Sequence, residues 1–272
     1  MRSVLRPVLL GNEDRNVQVA DPKLAAWRAE EEHPFSGWDL SHIYDRWTEE
    51  HPPWSYVELA RDALRGARSG VDLGTGGGER LSALADAFPE RMFATEAYDP
   101  NVEIARARLE PLRVTVVQYA SADVVGGPLP FADGSLDAVL DRHESYDARE
   151  VARVLAPGGR FVTQQVDGRD KPDLLERFGL TPAFPEVTLG PFVAAAKLAG
   201  LIIEQAEEWW GESVFTDVGA LVYYVKATRT VPDFSVARCE PVLRELDAEL
   251  SASGALRFRC GQFVLVARKP GV

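Results

Sequence analysis

The sequence feature that most constrains this chain is the glycine-rich stretch VDLGTGGGE at residues 71–79. A short apolar segment precedes it, and a run with helical character, ERLSALADAF at residues 79–88, follows it. This order predicts a turn between a strand and a helix. Because glycine has no Cβ, a ligand can approach the backbone closely at such a turn. The stretch therefore predicts a cofactor site.

The residues of the turn distinguish two classes of nucleoside ligand. A dinucleotide fingerprint reads G-x-G-x-x-G and presents helix N–H groups to a pyrophosphate, but counting from Gly74 and Gly76 the third position is Glu79. Asp72 would repel a phosphate in a closed site and favour a ligand that carries positive charge. S-adenosylmethionine, with an ammonium and a sulfonium group and no phosphate, is such a ligand. A purely structural glycine turn is the alternative.

The order acid-x-Gly-x-Gly-x-Gly, here Asp72, Gly74, Gly76 and Gly78, resembles the first motif of the class I S-adenosylmethionine-dependent methyltransferases. Thr75 lies between the first two of these glycines. The resemblance implies that S-adenosylmethionine is the cofactor. It also implies that Asp72, Gly74, Thr75 and Gly76 contact it.

A second acid, Glu96, stands at the end of the second predicted strand. A carboxylate at that place can accept hydrogen bonds from both hydroxyls of a ribose. Chains that bind NAD also place an acid about twenty residues downstream, so Glu96 alone does not distinguish the two cofactors. The step from Glu96 to Glu103, followed by residues 104–106 (IAR), resembles the second motif of the same family.

Two further pieces follow in the order that the family shows. Asp123 follows the third predicted strand, and the resemblance implies that it contacts the adenine amino group, with the backbone of Val124 beside it. The segment EVARVLAPGGRFVTQQV, beginning at residue 150, resembles the last core motif, which is structural. Four pieces spread over residues 71–166 are more specific together than any one of them alone.

Candidate catalytic residues lie after the fourth predicted strand, in DRHESY at residues 141–146. Methyl transfer requires a nucleophile held in line with the carbon–sulfur bond, and a general base where that nucleophile carries a proton. His143 is the first candidate base because an ordinary imidazole has a pKa of about 6.5, and Glu144 is the second. A histidine that bonds to backbone or holds the substrate is the alternative. Asp141 is expected to contact the cofactor.

Weaker candidates come from position alone. Tyr56, Trp54 and Asp39 fall in the segment before the glycine turn, which forms a lid over the acceptor pocket in the family that the chain resembles. A Mg²⁺-dependent mechanism would need oxygen ligands after the fourth and fifth predicted strands, where Asp141, Asp167 and Asp170 stand. We interpret these acids as solvated loop residues and expect no metal.

Composition limits the partners and the compartment. A formal net charge of −12 and a sequence pI of about 4.9 argue against a tight grip on nucleic acid, which requires a basic face. The two cysteines, Cys239 and Cys260, are expected to be buried thiols, which suits a reducing cytoplasm. The N-terminal residues show neither a signal peptide nor a membrane span. The sequence does not indicate an oligomeric state.

Alternating strand and helix patterns predict an α/β fold. By the resemblance this is a doubly wound, mostly parallel, seven-stranded Rossmann-like sheet. We expect residues 1–67 to form an N-terminal helical lid, with a helix over 41–50, and residues 68–272 to form the methyltransferase domain. Residues 168–235, after strand five, are expected to cover part of the active-site mouth, or else to extend the core. The last two strands are predicted at 202–210 and 262–269.

The sequence thus predicts a cytoplasmic enzyme that transfers a methyl group from S-adenosylmethionine to an oxygen or nitrogen of a small-molecule acceptor. Methylation of RNA or of a translation protein is the first alternative. A non-catalytic protein that binds the cofactor is the second.

Overall fold

A computed structural model gives the structure of residues 21–35, 39–119 and 127–271. The strands of these ranges are β1 (Trp47–Glu49), β2 (Ser69–Leu73), β3 (Arg91–Glu96), β4 (Val114–Gln118), β5 (Leu136–Arg142), β6 (Leu155–Val166), β7 (Ile202–Phe215) and β8 (Leu256–Arg268). The helices are α1 (Pro22–Glu32), α2 (Tyr56–Leu64), α3 (Glu79–Ser82), α4 (Asp99–Leu109), α5 (Ala148–Val154), α6 (Pro172–Arg177), α7 (Leu189–Leu198), α8 (Val218–Thr228) and α9 (Val236–Ser253).

Short polar side chains begin several of these helices. The Asp21 carboxylate accepts a hydrogen bond from the Lys23 N–H at the start of α1, and Asp217 accepts one from Ala220 N–H at the start of α8. Ser55 and Ser235 play the same role at α2 and α9. Each satisfies a backbone donor that the first helical turn leaves unpaired.

The described strands form one sheet in the order β1-β7-β8-β6-β5-β2-β3-β4. Strands β2 to β6 run parallel to one another, whereas β8 is antiparallel to both β6 and β7. The chain builds outward on both sides of β2, so the carboxyl end of β2 is a topological switch point, where doubly wound sheets bind ligands. The glycine-rich stretch lies at that point.

The α/β class and the doubly wound, mostly parallel sheet are confirmed, but the described strands number eight instead of seven. The extra strand is β1, which pairs with the edge of β7, where a helix over 41–50 was expected. The Trp47 indole N–H donates to Ser213 Oγ at 2.8 Å, and the ring packs against Phe215 and Tyr224. These contacts with distant residues outweigh the local helical pattern.

Strands β7 and β8 are longer than their predicted ranges, and the added residues pair with each other. Gln262 of β8 lies opposite Val166, the last residue of β6, so residues 256–261 run past the end of β6. Residues 210–215 and 256–261 therefore form a two-stranded ribbon that projects beyond the carboxyl edge of the parallel strands.

Three apolar clusters hold the described residues together. Two of them pack on the two faces of the parallel sheet, one with α2 and α4 and the other with α5 and α7. The third, here called the outer cluster, joins α1, α6, α8 and α9 to the ribbon, with Trp27, Phe215 and Phe258 in its interior. Helix α8 is apolar around most of its circumference because it lies in the middle of this cluster.

Helices α1 and α2 thus belong to different cores, α1 to the outer cluster and α2 to the sheet. The division at residue 67 and the role of residues 168–235 as cover stay predictions. Both cysteines are buried, Cys239 in α9 and Cys260 in β8. None of the described helices combines the length and the apolar character that crossing a membrane requires.

Candidate functional site

The turn after β2 has the bare backbone that its glycines predict. Gly74, Gly76 and Gly78 all have positive φ, at 59°, 61° and 79°. Residues other than glycine adopt this region only at a cost in free energy. Strand β3 anchors the turn: Gly74 N–H donates to Thr95 Oγ1 at 3.2 Å, and Thr75 N–H donates to the Thr95 carbonyl at 2.8 Å.

Two of these glycines face different neighbours. A Cβ added to Gly74 would lie 2.5 Å from Glu144 Oε2 and 2.7 Å from Glu144 Cβ, so the loop after β5 lies directly on the turn. A Cβ added to Gly78 would lie 2.8 Å from the Leu109 side chain of α4. Gly74 therefore shapes the cleft, and Gly78 allows helix α4 to pack.

Asp141 is a fully buried acid one strand away from the turn. Its Oδ1 accepts hydrogen bonds from Thr163 Oγ1 at 2.9 Å and from Gln165 Nε2 at 2.6 Å. Its Oδ2 has no hydrogen-bond partner among the described residues. Burial raises the pKa of this carboxyl well above its ordinary value, and the negative charges of Glu144 and Asp72 raise it further.

Asp72 lies beside it at the end of β2 and is also buried. Burial raises the pKa of Asp72 from 3.8 to about 7, while the Thr75 side chain and the positive charge of Arg142 act in the opposite direction. Asp72 is therefore poised between its neutral and charged forms at neutral pH.

Glu96 uses half of its carboxylate to fix the start of α4. Its Oε1 accepts hydrogen bonds from the backbone N–H groups of Ala97 at 2.9 Å and Tyr98 at 2.8 Å. Its Oε2 makes no hydrogen bond to the residues that the structure describes. The free oxygen can accept hydrogen bonds from a ligand diol.

His143 and Glu144 continue the chain after Asp141. His143 has a φ of 67°, and its N–H donates to the Gln164 carbonyl at 2.9 Å. The residue is exposed, and desolvation, and then the positive charges of Arg142 and Arg80, lower its pKa well below 6.5. The imidazole is therefore neutral at pH 7, and it is a weaker base than an ordinary histidine.

The pKa of Glu144 shifts in the opposite direction. Burial raises its pKa, a hydrogen bond from Ser145 N–H opposes this shift, and the charge of Glu96 adds to it. Desolvation is the largest cause of both pKa shifts, and it favours the uncharged form of each predicted catalytic residue.

The three weaker candidates separate in space. Tyr56 is buried, and its hydroxyl has no hydrogen-bond partner among the described residues, although the charges of Asp72 and Asp141 act on it. The Trp54 indole N–H donates to Gln164 Oε1 at 2.9 Å, at the end of β6. Asp39 lies away from this edge, beside a cavity of the outer cluster that is also lined by residues such as His33, His42 and Tyr223.

The acids after β6 are not the solvated loop residues that were expected, because Asp167 is buried and Asp170 is half-buried. Asp167 forms an ion pair with Arg169 at 2.7 Å, and Asp170 forms one with Lys171 at 3.0 Å. Within the described ranges, no group of three histidine, cysteine, aspartate or glutamate side chains lies in a metal-binding arrangement. The predicted adenine contacts, Asp123 and Val124, lie outside the described residues, so their role stays a prediction.

Comparison with known proteins shows which family the sequence around this edge of the sheet resembles. A profile described as a methyltransferase domain matches residues 71–163, which run from β2 through the glycine turn to β6. Residues 71–163 therefore resemble the methyltransferase domain of the S-adenosylmethionine-dependent class. The choice of S-adenosylmethionine over a dinucleotide, made from Asp72 and the missing third glycine, is thereby confirmed.

Related sequences agree over part of their length. Trans-aconitate 2-methyltransferase from Acidovorax sp. is 33% identical over 137 residues, which cover 50% of this chain and 52% of that protein. Protein-L-isoaspartate O-methyltransferase from Azoarcus sp. is 30% identical over 123 residues, which cover 45% and 56%. The chain spans about half the length of the curated relatives it matches.

Solved structures share the fold. A Bacillus halodurans protein described as a candidate methyltransferase has a TM-score of 0.55 and 19% identity, covering 79% of this chain and 97% of that one. The YcgJ protein of Bacillus subtilis has a TM-score of 0.53 and 20% identity, covering 80% and 99%. At these identities the likeness establishes the fold alone.

The residues around the methyltransferase glycine turn fit the cofactor of this family. Three buried polar atoms there lack hydrogen-bond partners among the described residues, namely Tyr56 OH, Thr75 Oγ1 and Asp141 Oδ2. An unpaired buried polar atom costs free energy, so these atoms are suited to a bound polar ligand. The surrounding acids favour a cation and disfavour a pyrophosphate.

The pKa of Asp72 predicts how cofactor binding depends on pH. A cationic ligand favours the charged carboxylate, so binding below pH 7 requires Asp72 to release a proton. We expect the affinity for S-adenosylmethionine to rise up to about tenfold per unit between about pH 6 and pH 7, and to level off above. The free energy of unfolding without ligand depends on pH in the opposite direction. Because Asp72 keeps its proton in the folded state and loses it in the unfolded state, the free energy of unfolding falls as the pH rises from about 4 to 7.

Calorimetry in buffers of different ionisation enthalpy would count the released proton. Asp72→Asn should remove the pH dependence centred near pH 7, whereas Asp62→Asn, at an exposed acid of α2, should leave it in place. Binding at pH 6 without proton release would show that Asp72 is already charged.

Sequence reasoning missed Thr163 and Gln165 as partners of Asp141, and it gave no role to Arg142. A signal for the first two is present in the sequence: residues 163–165 (TQQ) are polar at the end of a strand whose preceding residues are apolar. Three successive polar residues at the end of a buried strand indicate a polar network.

Proposed function

We propose that this chain transfers the methyl group of S-adenosylmethionine to an oxygen or nitrogen of a small-molecule acceptor. The observation that carries the proposal is the acidic cleft at the switch point, where Asp72, Glu96 and Asp141 surround a bare glycine backbone. The relatives named for trans-aconitate support a small acceptor. The relative named for protein-L-isoaspartate supports oxygen as the acceptor atom, but its name gives a protein acceptor.

The residues present divide the work of binding. Glu96 Oε2 is free for the ribose hydroxyls, and the carboxylates of Asp72 and Asp141 are suited to the positive end of the cofactor. When bound, S-adenosylmethionine supplies a methyl carbon that its positive sulfur has already activated. The protein must then orient the acceptor and exclude water.

His143 and Tyr56 are the groups that can act on the acceptor. A neutral imidazole can take a proton from a hydroxyl or an amine, although the lowered pKa of His143 weakens it for this task. A carboxylate acceptor carries no proton to remove, so it would need no base. The unpartnered Tyr56 hydroxyl can donate a hydrogen bond to an acceptor oxygen.

The outer cluster supports the predicted cover. Its ribbon extends beyond the carboxyl edge of the parallel strands, and its edge strand β1 places Glu49 close enough for its charge to act on Arg142 at the cleft. We propose that this layer, together with α2, closes the acceptor pocket. A small closed pocket fits a metabolite better than a polymer.

A labelling experiment separates the proposed function from its alternatives. The full chain would be incubated with methyl-labelled S-adenosylmethionine and with pools of small acids, small amines, hydroxylated metabolites, or total RNA and ribosomal protein. We expect the label in a small molecule. Label in RNA or protein would establish the first alternative, and tight cofactor binding without transfer to any pool would establish the second.

A further inference from the structure

Arg142, the last residue of β5, is a charged side chain without a partner. Among the residues that the structure describes, its guanidinium forms no ion pair and no hydrogen bond. Every other described arginine that lacks an ion pair is exposed, whereas Arg142 is partly buried. Burying an unpaired charge costs free energy, so a position of this kind indicates a missing counter-charge.

The surroundings of Arg142 make its charge costly. Burial, and then the charge of nearby Arg80, lower the pKa of Arg142 to about 10, so it remains protonated at neutral pH. Arg80 is the second residue of α3, directly after the glycine turn, and it too has no ion pair among the described residues. Two unpaired arginines thus lie close together in a chain whose net charge is −12.

The acids near Arg142 are committed elsewhere. Glu49 of β1 accepts from Lys171 Nζ at 2.9 Å. Asp72 shares its site with the cofactor pocket, where its pKa of about 7 leaves it only partly charged. No described acid therefore forms an ion pair with Arg142, and an anionic ligand can supply the counter-charge.

The position of Arg142 shows which ligand this is. In the chain it follows Asp141, which borders the cofactor pocket, and precedes the exposed residue His143, at the carboxyl end of β5. Tyr56, whose hydroxyl has no hydrogen-bond partner among the described residues, lies near Arg142. A group held here would face both the cofactor pocket and the solvent, which is the place of the methyl acceptor.

We propose that Arg142, assisted by Arg80, binds a carboxylate of the methyl acceptor, so that the acceptor is a small organic acid. This inference rests on the proposed function. The planar guanidinium can hold a carboxylate through two parallel hydrogen bonds. The acids on the other side of the cleft would repel a doubly charged phosphate more strongly than a carboxylate.

The test is a binding measurement on the full chain loaded with S-adenosylhomocysteine. Isothermal titration with acetate, succinate and citrate, with succinamide as the uncharged counterpart and with inorganic phosphate, would be compared for wild type and Arg142→Met. We expect at least one carboxylate to bind about tenfold or more tightly than the amide, and Arg142→Met to remove that preference. Arg142→Lys should retain part of it.

Arg68→Met is the matched control. Arg68 is an exposed arginine that likewise has no ion pair among the described residues, but it precedes β2 at the opposite edge of the sheet. Its replacement should therefore leave carboxylate binding unchanged. Because Arg142→Met removes an unpaired charge, its thermal unfolding temperature should stay the same or rise. That measurement excludes misfolding as the cause of lost binding.

Three results would overturn the inference: no carboxylate binds, Arg68→Met and Arg142→Met lose affinity equally, or phosphate binds more tightly than every carboxylate. The cofactor provides the distinction from the proposed function. If wild type and Arg142→Met both bind S-adenosylhomocysteine but show no preference for carboxylates, only the role of Arg142 is wrong. If wild type binds no S-adenosylhomocysteine, the proposed function is wrong as well.

Discussion

Replacing Gly74 with valine is expected to abolish measurable binding of S-adenosylhomocysteine. The φ of 59° at this position is unfavourable for a β-branched residue, and the new Cβ would lie 2.5 Å from Glu144 Oε2 in the cleft. To relieve the strain and the collision, the turn must leave its cofactor-binding geometry. Restoring that geometry on binding costs on the order of 3 kcal/mol, which is a loss of more than about a hundredfold in affinity. Isothermal titration of the purified variant would measure the loss.

Gly66 offers a control with the same backbone problem. Its φ is 77°, but nothing lies within 4 Å of a Cβ added there, and it precedes β2 at the opposite edge of the sheet. Gly66→Val should lower the free energy of unfolding and keep cofactor affinity. If Gly74→Val bound the cofactor as wild type does, the glycine turn would not be the cofactor site.

Replacing Glu96 with alanine is expected to weaken cofactor binding by about 1–3 kcal/mol, or roughly 5- to 150-fold. The loss follows from removing a charged acceptor whose Oε2 is free for the ribose hydroxyls. Because Oε1 also fixes the backbone N–H groups of Ala97 and Tyr98, the free energy of unfolding should fall by about 1 kcal/mol. Titration and denaturant unfolding would measure the two effects separately.

The control for Glu96 is Glu103, an exposed acid on α4 paired with Arg106 at 2.9 Å. Glu103→Ala removes the same charge from the same region and should change neither quantity by more than a few tenths of a kcal/mol. Equal cofactor affinity for wild type and Glu96→Ala would refute the ribose contact.

The glycine turn and the parallel sheet were predictable because their signals are local. Each signal occupies a few consecutive residues. They are the apolar strand before Gly74, the glycines of the turn, and the acids at the ends of β2 and β3. Parallel strands bring their carboxyl ends to one edge, so the strand pattern alone is enough to place Asp72, Glu96 and Asp141 together.

The outer cluster was less predictable because long-range pairing decides its structure. Residues 41–50 have a helical pattern, yet Trp47 lies in a strand because β7 offers an unpaired edge and Ser213 offers an acceptor. The ribbon likewise depends on the pairing of β7 with β8 beyond Val166. No local pattern indicates where a partner strand ends.

The protonation and pairing of the site residues could not be predicted from the sequence either. His143 was predicted as a base from the ordinary pKa of histidine, but desolvation and two arginines lower that value. Arg142 is informative only because the fold leaves it without a counter-charge among the described residues. The lack of a partner is a property of the folded chain, and residue order does not reveal it.

Binding of a cationic nucleoside in the cleft after β2 is the property on which the proposed function depends most. Isothermal titration of the purified chain with S-adenosylmethionine, S-adenosylhomocysteine and NAD would test it directly. We expect both adenosyl ligands to bind at a single site and NAD not to bind. Uptake of NAD, together with no heat from either adenosyl ligand, would contradict it.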